Sequence, residues 1–509
     1  MIFERDLARI ASYHDESPVA ANAYVVDDRT WSDLDLDAVV ATIDTTRCAV
    51  GQQMLHHLVR TPLVDRDALH AREREIQKIR EHRAALTKEL KKLARLDLYD
   101  VHRLFRQDLP ERPRSLLLFP IVSVLSLIAA ATAFVIPQAI LAVLVLAIIS
   151  FAIHLTYRRR IHELIQPVSV LKRLLDCASA IARITDDASL QRDAAALAPL
   201  RRSTRWLVLE TLQVDNVTGL VYQYLNMFLL LDVNAFVFSL ETIRTRRAEL
   251  ERLFAAVGMT DALLAVLAFR ESTATSIPQF IESNKSATFE TLVHPLIDEA
   301  VPNDLALNGK SVLVTGSNMS GKTTLLRAAG VNAILAQTIH TVTAARYAAP
   351  LVRVQTSIGK GDSVLEGRSY YLREVDDVRA LVVSSESNAP HLFIVDELFR
   401  GTNTRERIAA GAAVLRYLNR GPHLTLASTH DLELIELLVG EYEFHHFRES
   451  IENGDLTFDF KLHDGPSSTR NAIAILAMRG FPESVIGEAM KTVERSRTVG
   501  QSHGRTEAL

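Results

Sequence analysis

The sequence predicts an α/β domain built on buried strands, C-terminal to a mainly α-helical region that an apolar helical hairpin interrupts. Three observations carry this expectation. A strand, a glycine-rich turn and a helix follow one another from Lys310 to Arg327 (KSVLVTGSNMSGKTTLLR). An uncharged stretch runs from Ser115 to Tyr157. The segments on either side of that stretch interleave leucine with charge and hold few glycines, as helices packed on one face do.

Val312, Leu313 and Val314 read as a short buried strand, Ser311 to Thr315, and Thr324-Leu325-Leu326 opens a helix. The turn between them fits G-x-x-x-x-G-K-[ST], with Gly316, Gly321, Lys322 and Thr323 in register. Glycines let backbone N–H groups curl around an anion, and the helix N-terminus adds its positive dipole end. Lys322 can then reach β- and γ-phosphates, and the Thr323 hydroxyl can join a Mg²⁺ shell. Residues Gly316, Ser317, Asn318, Met319, Ser320, Gly321, Lys322, Thr323 and Thr324 are therefore the expected nucleotide-binding loop, with ATP and Mg²⁺ as its ligands.

Two further apolar runs supply the rest of such a site. His391 to Val395 reads as a strand ending in Asp396-Glu397, a pair suited to phosphoryl chemistry. Asp396 can hold the metal with Thr323, while Glu397 can orient or deprotonate water. Leu424 to Ser428 reads as a third strand and ends in Thr429-His430-Asp431, placing His430 at the same edge as a γ-phosphate contact. Catalysis is expected to rest on Glu397, His430 and Lys322.

The whole chain sets bounds on this reading. Its 509 residues leave room for about three domains. A net charge of −4 provides no global basic field, so any nucleic-acid binding needs a local patch. Cys48 and Cys177 stand apart outside any motif, as buried, reduced thiols do. The N-terminus carries charges of both signs and no long apolar core, unlike a signal peptide.

From Ala71 a long charged helix is expected, with Ile76, Ile79, Leu86, Leu90 and Leu93 as its apolar stripe. The stretch 115–157 divides at Pro137-Gln138 into runs of 22 and 19 residues (115–136 and 139–157). Each is long enough to cross a hydrocarbon layer of about 30 Å. Arg103, Arg106, Arg112 and Arg114 precede it and Arg158, Arg159 and Arg160 follow. By the positive-inside rule both flanks face the cytoplasm and meet lipid headgroups, with a tight turn on the far side. A re-entrant hairpin that dips in without crossing is the alternative. Further on, RTRRAELERLFAAVG (244–258) reads as an amphipathic helix ending at Gly258.

Taken together, the motifs resemble the MutS-type ATPases of the ABC superfamily. TGSNMSGKTTLLR is similar to that family's TGPNMGGKSTxLR, IGKGDSVLEGRSYYLREV (358–375) to IGAxDxLxxGxSTFxxEM, DELFRGTN (396–403) to DEIGRGTS, and STHDLEL (428–434) to ATHxxEL. HP (294–295), VPNDLAL (301–307) and the closing FDFKLHDGPSSTRNAIAILAMRGFPESVIGEA also resemble family blocks. The early block DLDAVVATIDTTRCAVGQQMLHHLVRTPLVDRDALHAR resembles the family's core domain more weakly.

The resemblance implies an ABC-type P-loop ATPase domain over 291–495 and a helical core and lever region in two parts, 1–114 and 158–290. The hairpin occupies 115–157 and a frayed tail 496–509. It also implies a head-to-tail homodimer through the ATPase domains, in which Gly367 and Ser369 of one protomer reach the partner's γ-phosphate. DNA is the partner it implies, with a relation to mismatch repair. The mismatch-reading and connector domains have no counterpart in the sequence, and the hairpin stands where lever helices would lead to a DNA clamp. A membrane-anchored member is therefore expected, multi-pass in the cytoplasmic membrane, with membrane lipid as a further partner and N- and C-terminal regions in the cytoplasm. ATP-driven closure of the dimer would be relayed through the helical region to the hairpin. The rival reading is an ATP-driven membrane switch or assembly factor that acts on a lipid or an unknown membrane protein instead of DNA. Two short spans without an intramembrane acid argue against a transporter.

Three departures from the family pattern bear on the site. Phe399 stands where the family has glycine, Ala300 replaces the aromatic residue before VPND, and Phe460 is a candidate replacement ring for adenine stacking.

Overall fold

The computed structural model describes residues 6–109, 118–204, 224–282, 285–317, 319–359, 370–452, 455–466, 473, 476–477 and 479–492. The chain forms two compact units. One joins Met1–Val25 to Val40–Thr273, and the other joins Val26–Val39 to Ala274–Leu509.

The first unit is helical, and its core is laid along Arg247–Ser272, whose Leu250, Leu253, Phe254, Val257, Leu263 and Leu264 are buried. That helix is apolar and long enough to pass for a membrane span, yet 72% of it is buried, so it is a core helix. It also runs straight through Gly258, where the sequence predicts its end. A Cβ at Gly258 would lie 2.9 Å from Met54 Cβ and from the Val50 carbonyl. Here glycine serves the close crossing of helix Ala49–Arg60 rather than a C-cap.

Asp261, on the same core helix, caps that crossing partner. Its Oδ2 accepts from the backbone N–H of Arg47 (2.8 Å) and of Cys48 (2.9 Å), and from the Cys48 thiol (3.2 Å). Gly51 leaves room for the carboxyl, since a Cβ there would sit 2.3 Å from Oδ2. Burial pushes Asp261 up to about 6 against the lowering effect of these donors. Both cysteines are buried and unpaired by disulfide, as expected.

The single charged helix expected from Ala71 is two helices, Arg66–Glu81 and Arg83–Leu90, with His82 (φ −106°, ψ 11°) at the break. All five stripe residues are nonetheless buried. The break leaves the apolar face buried.

The apolar stretch forms a hairpin. Its first arm is Leu118–Ala133, its turn is the 3₁₀ element Pro137–Ala139, and its second arm begins a helix that continues unbroken from Ile140 to Ile184. The window Pro137–Thr156 has a mean hydropathy of 2.6 and is only 11% buried. Of the arginines expected at the lipid flank, Arg106 instead pairs with Glu251 at 2.5 Å and Arg103 lies 3.3 Å from Asp100. Arg112, Arg114 and the side chains of Arg158, Arg159 and Arg160 lie outside the described residues.

The second unit carries a six-stranded sheet in the order β10-β9-β4-β8-β7-β6. The strands are β4 (Ser311–Thr315), β6 (Arg353–Ile358), β7 (His391–Asp396), β8 (Leu424–Thr429), β9 (Tyr442–Glu452) and β10 (Asp455–Asp464). All neighbours are parallel except β9 and β10. The sides of β4, β7 and β8 are buried throughout, which is why each reads as an uninterrupted apolar run. A smaller sheet, β1-β5-β2-β3, uses Gln279–Phe280, Arg346–Ala349, Ser286–Leu292 and Asn303–Asn308.

Residues 26–39 belong to this unit although they lie far upstream in sequence. Buried Asp33 accepts from Thr356 Oγ1 (2.8 Å) and from the Ile358 N–H (2.9 Å), at the end of β6. Arg29 pairs with Asp377 and Arg327 with Asp35 (2.9 Å). Leu34 seats over Gly330, where a Cβ would come within 3.0 Å of it.

Two predictions follow from these buried carboxyls. Asp33→Ala strands two buried donors, so the denaturation midpoint of the nucleotide-binding unit should fall by the equivalent of about 2–4 kcal/mol, with Asp33→Asn losing less. Asp261 has a folded pKa of about 6, above the ordinary value of 3.8. Its stabilising contribution is therefore full below the lower value and lost as pH rises through the upper one, a swing of about 3 kcal/mol. Asp261→Asn should flatten the dependence of helical-unit stability on pH over that window, read from urea midpoints.

Candidate functional site

The site lies at the carboxyl ends of β4, β7 and β8. Strand β4 runs into the turn and then into helix Lys322–Thr338, as the sequence predicts. Gly316 (φ 144°) and Gly321 (φ 111°) take conformations that favour glycine. At Gly316 a Cβ would meet the Phe447 carbonyl and Ser320 Oγ at 3.0 Å each. Lys322 is 4% exposed, and its Nζ donates to the Gly316 and Ser317 carbonyls at 2.7 Å each. Burial lowers the Lys322 pKa, opposed by the charges of Glu397 and Asp396. Met319 projects outward with φ 75°, and Ser320 Oγ closes the turn on the Ser317 carbonyl at 2.8 Å. Asn318 lies outside the described residues.

Asp396 ends β7 and accepts from one side chain on the helix after β4 and one at the end of β8. Thr323 Oγ1 donates to Asp396 Oδ2 at 2.7 Å, and Ser428 Oγ donates to Oδ1. Glu397 follows with φ 48°, and its N–H donates to the Ser428 carbonyl at 3.1 Å. The Glu397 carboxylate has three basic neighbours: Arg400 Nε at 2.8 Å, His430 Nδ1 at 3.3 Å and Lys322 Nζ at 3.9 Å. Burial would raise the Glu397 pKa, but the His430 hydrogen bond and these charges hold it below its ordinary value. The same hydrogen bond raises His430. Asp431, next to it, is committed to Arg407 through bonds of 2.6 and 2.8 Å.

A cavity of about 520 Å³ opens from these groups. Lys322, Thr323, Asp396, Glu397 and Arg400 line it together with His294, Ile297, Ala300, Val301, Phe447 and Phe460. Phe460 reaches it from an irregularity in β10, where the pairing register with β9 shifts between Phe458 and Leu462 and Phe460 has φ 51°. Asn303 of the VPND segment holds that shift in place. Its Nδ2 donates to the Phe460 carbonyl (3.0 Å), and its Oδ1 accepts from the Leu462 N–H (2.7 Å).

The expected residues Lys322, Thr323, Asp396, Glu397 and His430 thus come together. His430 is 45% exposed and turned to Glu397. Gly367 and Ser369 lie outside the described residues. Sequence reasoning missed Arg400, Ser428 and Asn303. Parallel pairing sets Ser428 directly opposite Asp396, which the two apolar runs could have indicated. Arg400 sits within the quoted DELFRGTN block, three residues from the carboxylate it holds. Phe399, in the family's glycine position, keeps a left-handed φ of 60°; its ring is buried beside Tyr371.

Residues 312–496 match the family profile described as MutS domain V. The DNA mismatch repair protein MutS of Thermus aquaticus is 34% identical over 200 residues, which are 38% of this chain and 24% of that protein. For the DNA mismatch repair protein MutS of Geobacillus sp. (strain WCH70) the figures are 28% over 297 residues, 55% and 34%. For the DNA mismatch repair protein MutS 2 of Haloarcula marismortui they are 34% over 189 residues, 36% and 19%. The chain spans no more than 34% of the length of these three relatives. The region 312–496 is thus similar to domain V of the MutS family.

Proposed function

We propose that the chain is a Mg-ATP hydrolase of MutS type that works as a head-to-tail homodimer and is held at the cytoplasmic membrane by its apolar hairpin. The observation that carries the reading is one cavity lined by Lys322, Thr323, Asp396 and Glu397 together with Phe460, Ala300 and Val301. A nucleoside triphosphate is polar and multiply charged at one end and aromatic at the other, and the lining matches both ends.

The roles follow from chemistry. The turn amides and the start of helix Lys322–Thr338 receive phosphate oxygens, and Lys322 exchanges its carbonyl partners for them. Thr323 Oγ1 and Asp396 Oδ2, 2.7 Å apart, are hard oxygen donors that would hold Mg²⁺, which when bound neutralises charge on the β- and γ-phosphates. Glu397, kept ionised, orients the attacking water and takes its proton. Arg400 and His430 share that carboxylate, so His430 must loosen its hold on Glu397 to contact the γ-phosphate. Phe460 stacks on the base in place of the aromatic that Ala300 lacks. Gly367 and Ser369 complete the site from the partner protomer.

The names of the relatives support DNA as the macromolecular partner, bound through its backbone or its structure. The exposed hairpin favours a second reading, in which turnover drives a membrane protein or a lipid rearrangement.

ATP turnover by the full chain decides among these, measured in detergent and in vesicles, with duplex, branched and single-stranded DNA. Glu397→Gln should lower kcat by about 10²–10³-fold while ATP still binds. Salt-sensitive stimulation by one DNA form supports the first partner. Turnover indifferent to every DNA but altered in vesicles supports the second. Phe460→Ala should raise the Kd for ATP about tenfold, as loss of one base–aromatic stack does, with little change in kcat.

A further inference from the structure

We infer that the hairpin enters the bilayer from one face and ends in its hydrocarbon interior, without crossing to the far side. The inference rests on the membrane reading above and specifies how lipid is engaged.

The free length of the arms carries it. The base of the hairpin is packed in the helical unit: Phe119, Val122 and Ile153 form one cluster with Leu230, Val233 and Val237 of the segment leading through helix Leu231–Thr245. Ser123 Oγ donates to the Leu229 carbonyl (2.7 Å), and Asn234 Nδ2 donates to Ser123 Oγ (2.8 Å). Beyond Ser123 the first arm has only Val124–Ala133 left, which rise about 15 Å. The second arm, from Ile140 to Ile153 of the same base cluster, rises about 20 Å. Both lengths fall short of the roughly 30 Å of hydrocarbon in a bilayer.

The tip matches that depth. Phe134 and Val135 are 94% and 81% exposed. From 115 to 157 there is no Asp, Glu, Lys, Arg or Trp, and the one tyrosine, Tyr157, is at the base beside the arginines. A loop meeting headgroups on the far side would carry such anchors. Gln138 is the only amide side chain at the turn, and it is uncharged. Hydrocarbon also demands that backbone groups be satisfied internally. The N–H groups of Phe134, Val135 and Ile136 donate to the carbonyls of Ala131 (3.3 Å), Thr132 (3.0 Å) and Thr132 (2.8 Å). Pro137 has no N–H to satisfy, Ala139 donates to the Ile136 carbonyl (3.0 Å), and Ile140 closes on the Pro137 carbonyl. Thr132 Oγ1 is bonded to the Ile128 carbonyl (2.8 Å).

The test uses the full chain in vesicles of phosphatidylethanolamine and phosphatidylglycerol, with cysteine placed at the tip (Val135→Cys) or mid-arm (Leu144→Cys). Both changed residues are exposed, and the native Cys48 and Cys177 are buried, so wild type gives the background. A membrane-impermeant maleimide is supplied on both sides of the bilayer. In parallel, a fluorophore on each cysteine is quenched by nitroxide lipids labelled near the headgroup or near the acyl terminus. Labelling at 135 at least tenfold slower than in detergent, with strongest quenching by the deep nitroxide, is the expected result. Fast labelling at 135 while 144 stays shielded and quenched would mean a hairpin that crosses; it overturns this inference and leaves the membrane reading standing. Fast labelling at both sites without quenching, as for an arm seated in a protein groove, would overturn both.

Discussion

One buried carboxylate fixes the geometry on which the site depends. Asp396 accepts from Thr323 at the start of the helix after β4 and from Ser428 at the end of β8, so three neighbouring elements share a single anion. An unpaired charge at that depth would be strongly unfavourable, and removing either donor would strand it. Lys322 and Arg400 supply the compensating charge for Asp396 and Glu397 together. The strand order β4-β8-β7 brings these groups to one edge; the chain order alone does not.

Around this anion the backbone is strained at several points. Met319, Glu397, Phe399 and Phe460 all have left-handed φ values without being glycine. Each such residue costs on the order of 1–3 kcal/mol unless its surroundings compensate. Phe399 has compensation from the core cluster it joins with Leu398, Leu415 and Leu434. Phe460 has it from the two Asn303 hydrogen bonds. Glu397 is held by Ser428 and Arg400. Three of these four residues, Met319, Glu397 and Phe460, line the cavity, and neighbouring hydrogen bonds and packing hold Glu397, Phe399 and Phe460 in place.

Contiguous motifs made much of this legible. A buried parallel strand must be apolar throughout, so β4, β7 and β8 stand out within a few residues of their observed ends, and the residues that follow each strand fall at one sheet edge. Contacts between distant segments were not legible. Nothing local tells that Asp33 caps the end of β6, because its partners Thr356 and Ile358 lie hundreds of residues away. Gly258 was misread for the same reason: a glycine at a helix end and one at a helix crossing look alike until Val50 and Met54 are placed against it. Arg106 counted as a lipid-facing cation until its partner Glu251 came into reach.

The helix Ile140–Ile184 shows why the hairpin is not simply appended to the fold. Its segment Ile140–Thr156 is apolar and largely exposed, and its later part buries Leu171, Leu174, Leu175, Ala178 and Ile181 in the helical unit. Pro167 lies just ahead of the buried stretch, where it removes one helical hydrogen bond and favours a bend. A continuous helix with one end exposed and the other in the core cannot shift at one end without a response at the other, because close-packed side chains deform little before they repack. The tip's environment and the packing around Leu174 are therefore coupled through a single covalent element. A force exerted on the exposed end of this helix is passed along it, past Pro167, to the core around Leu174.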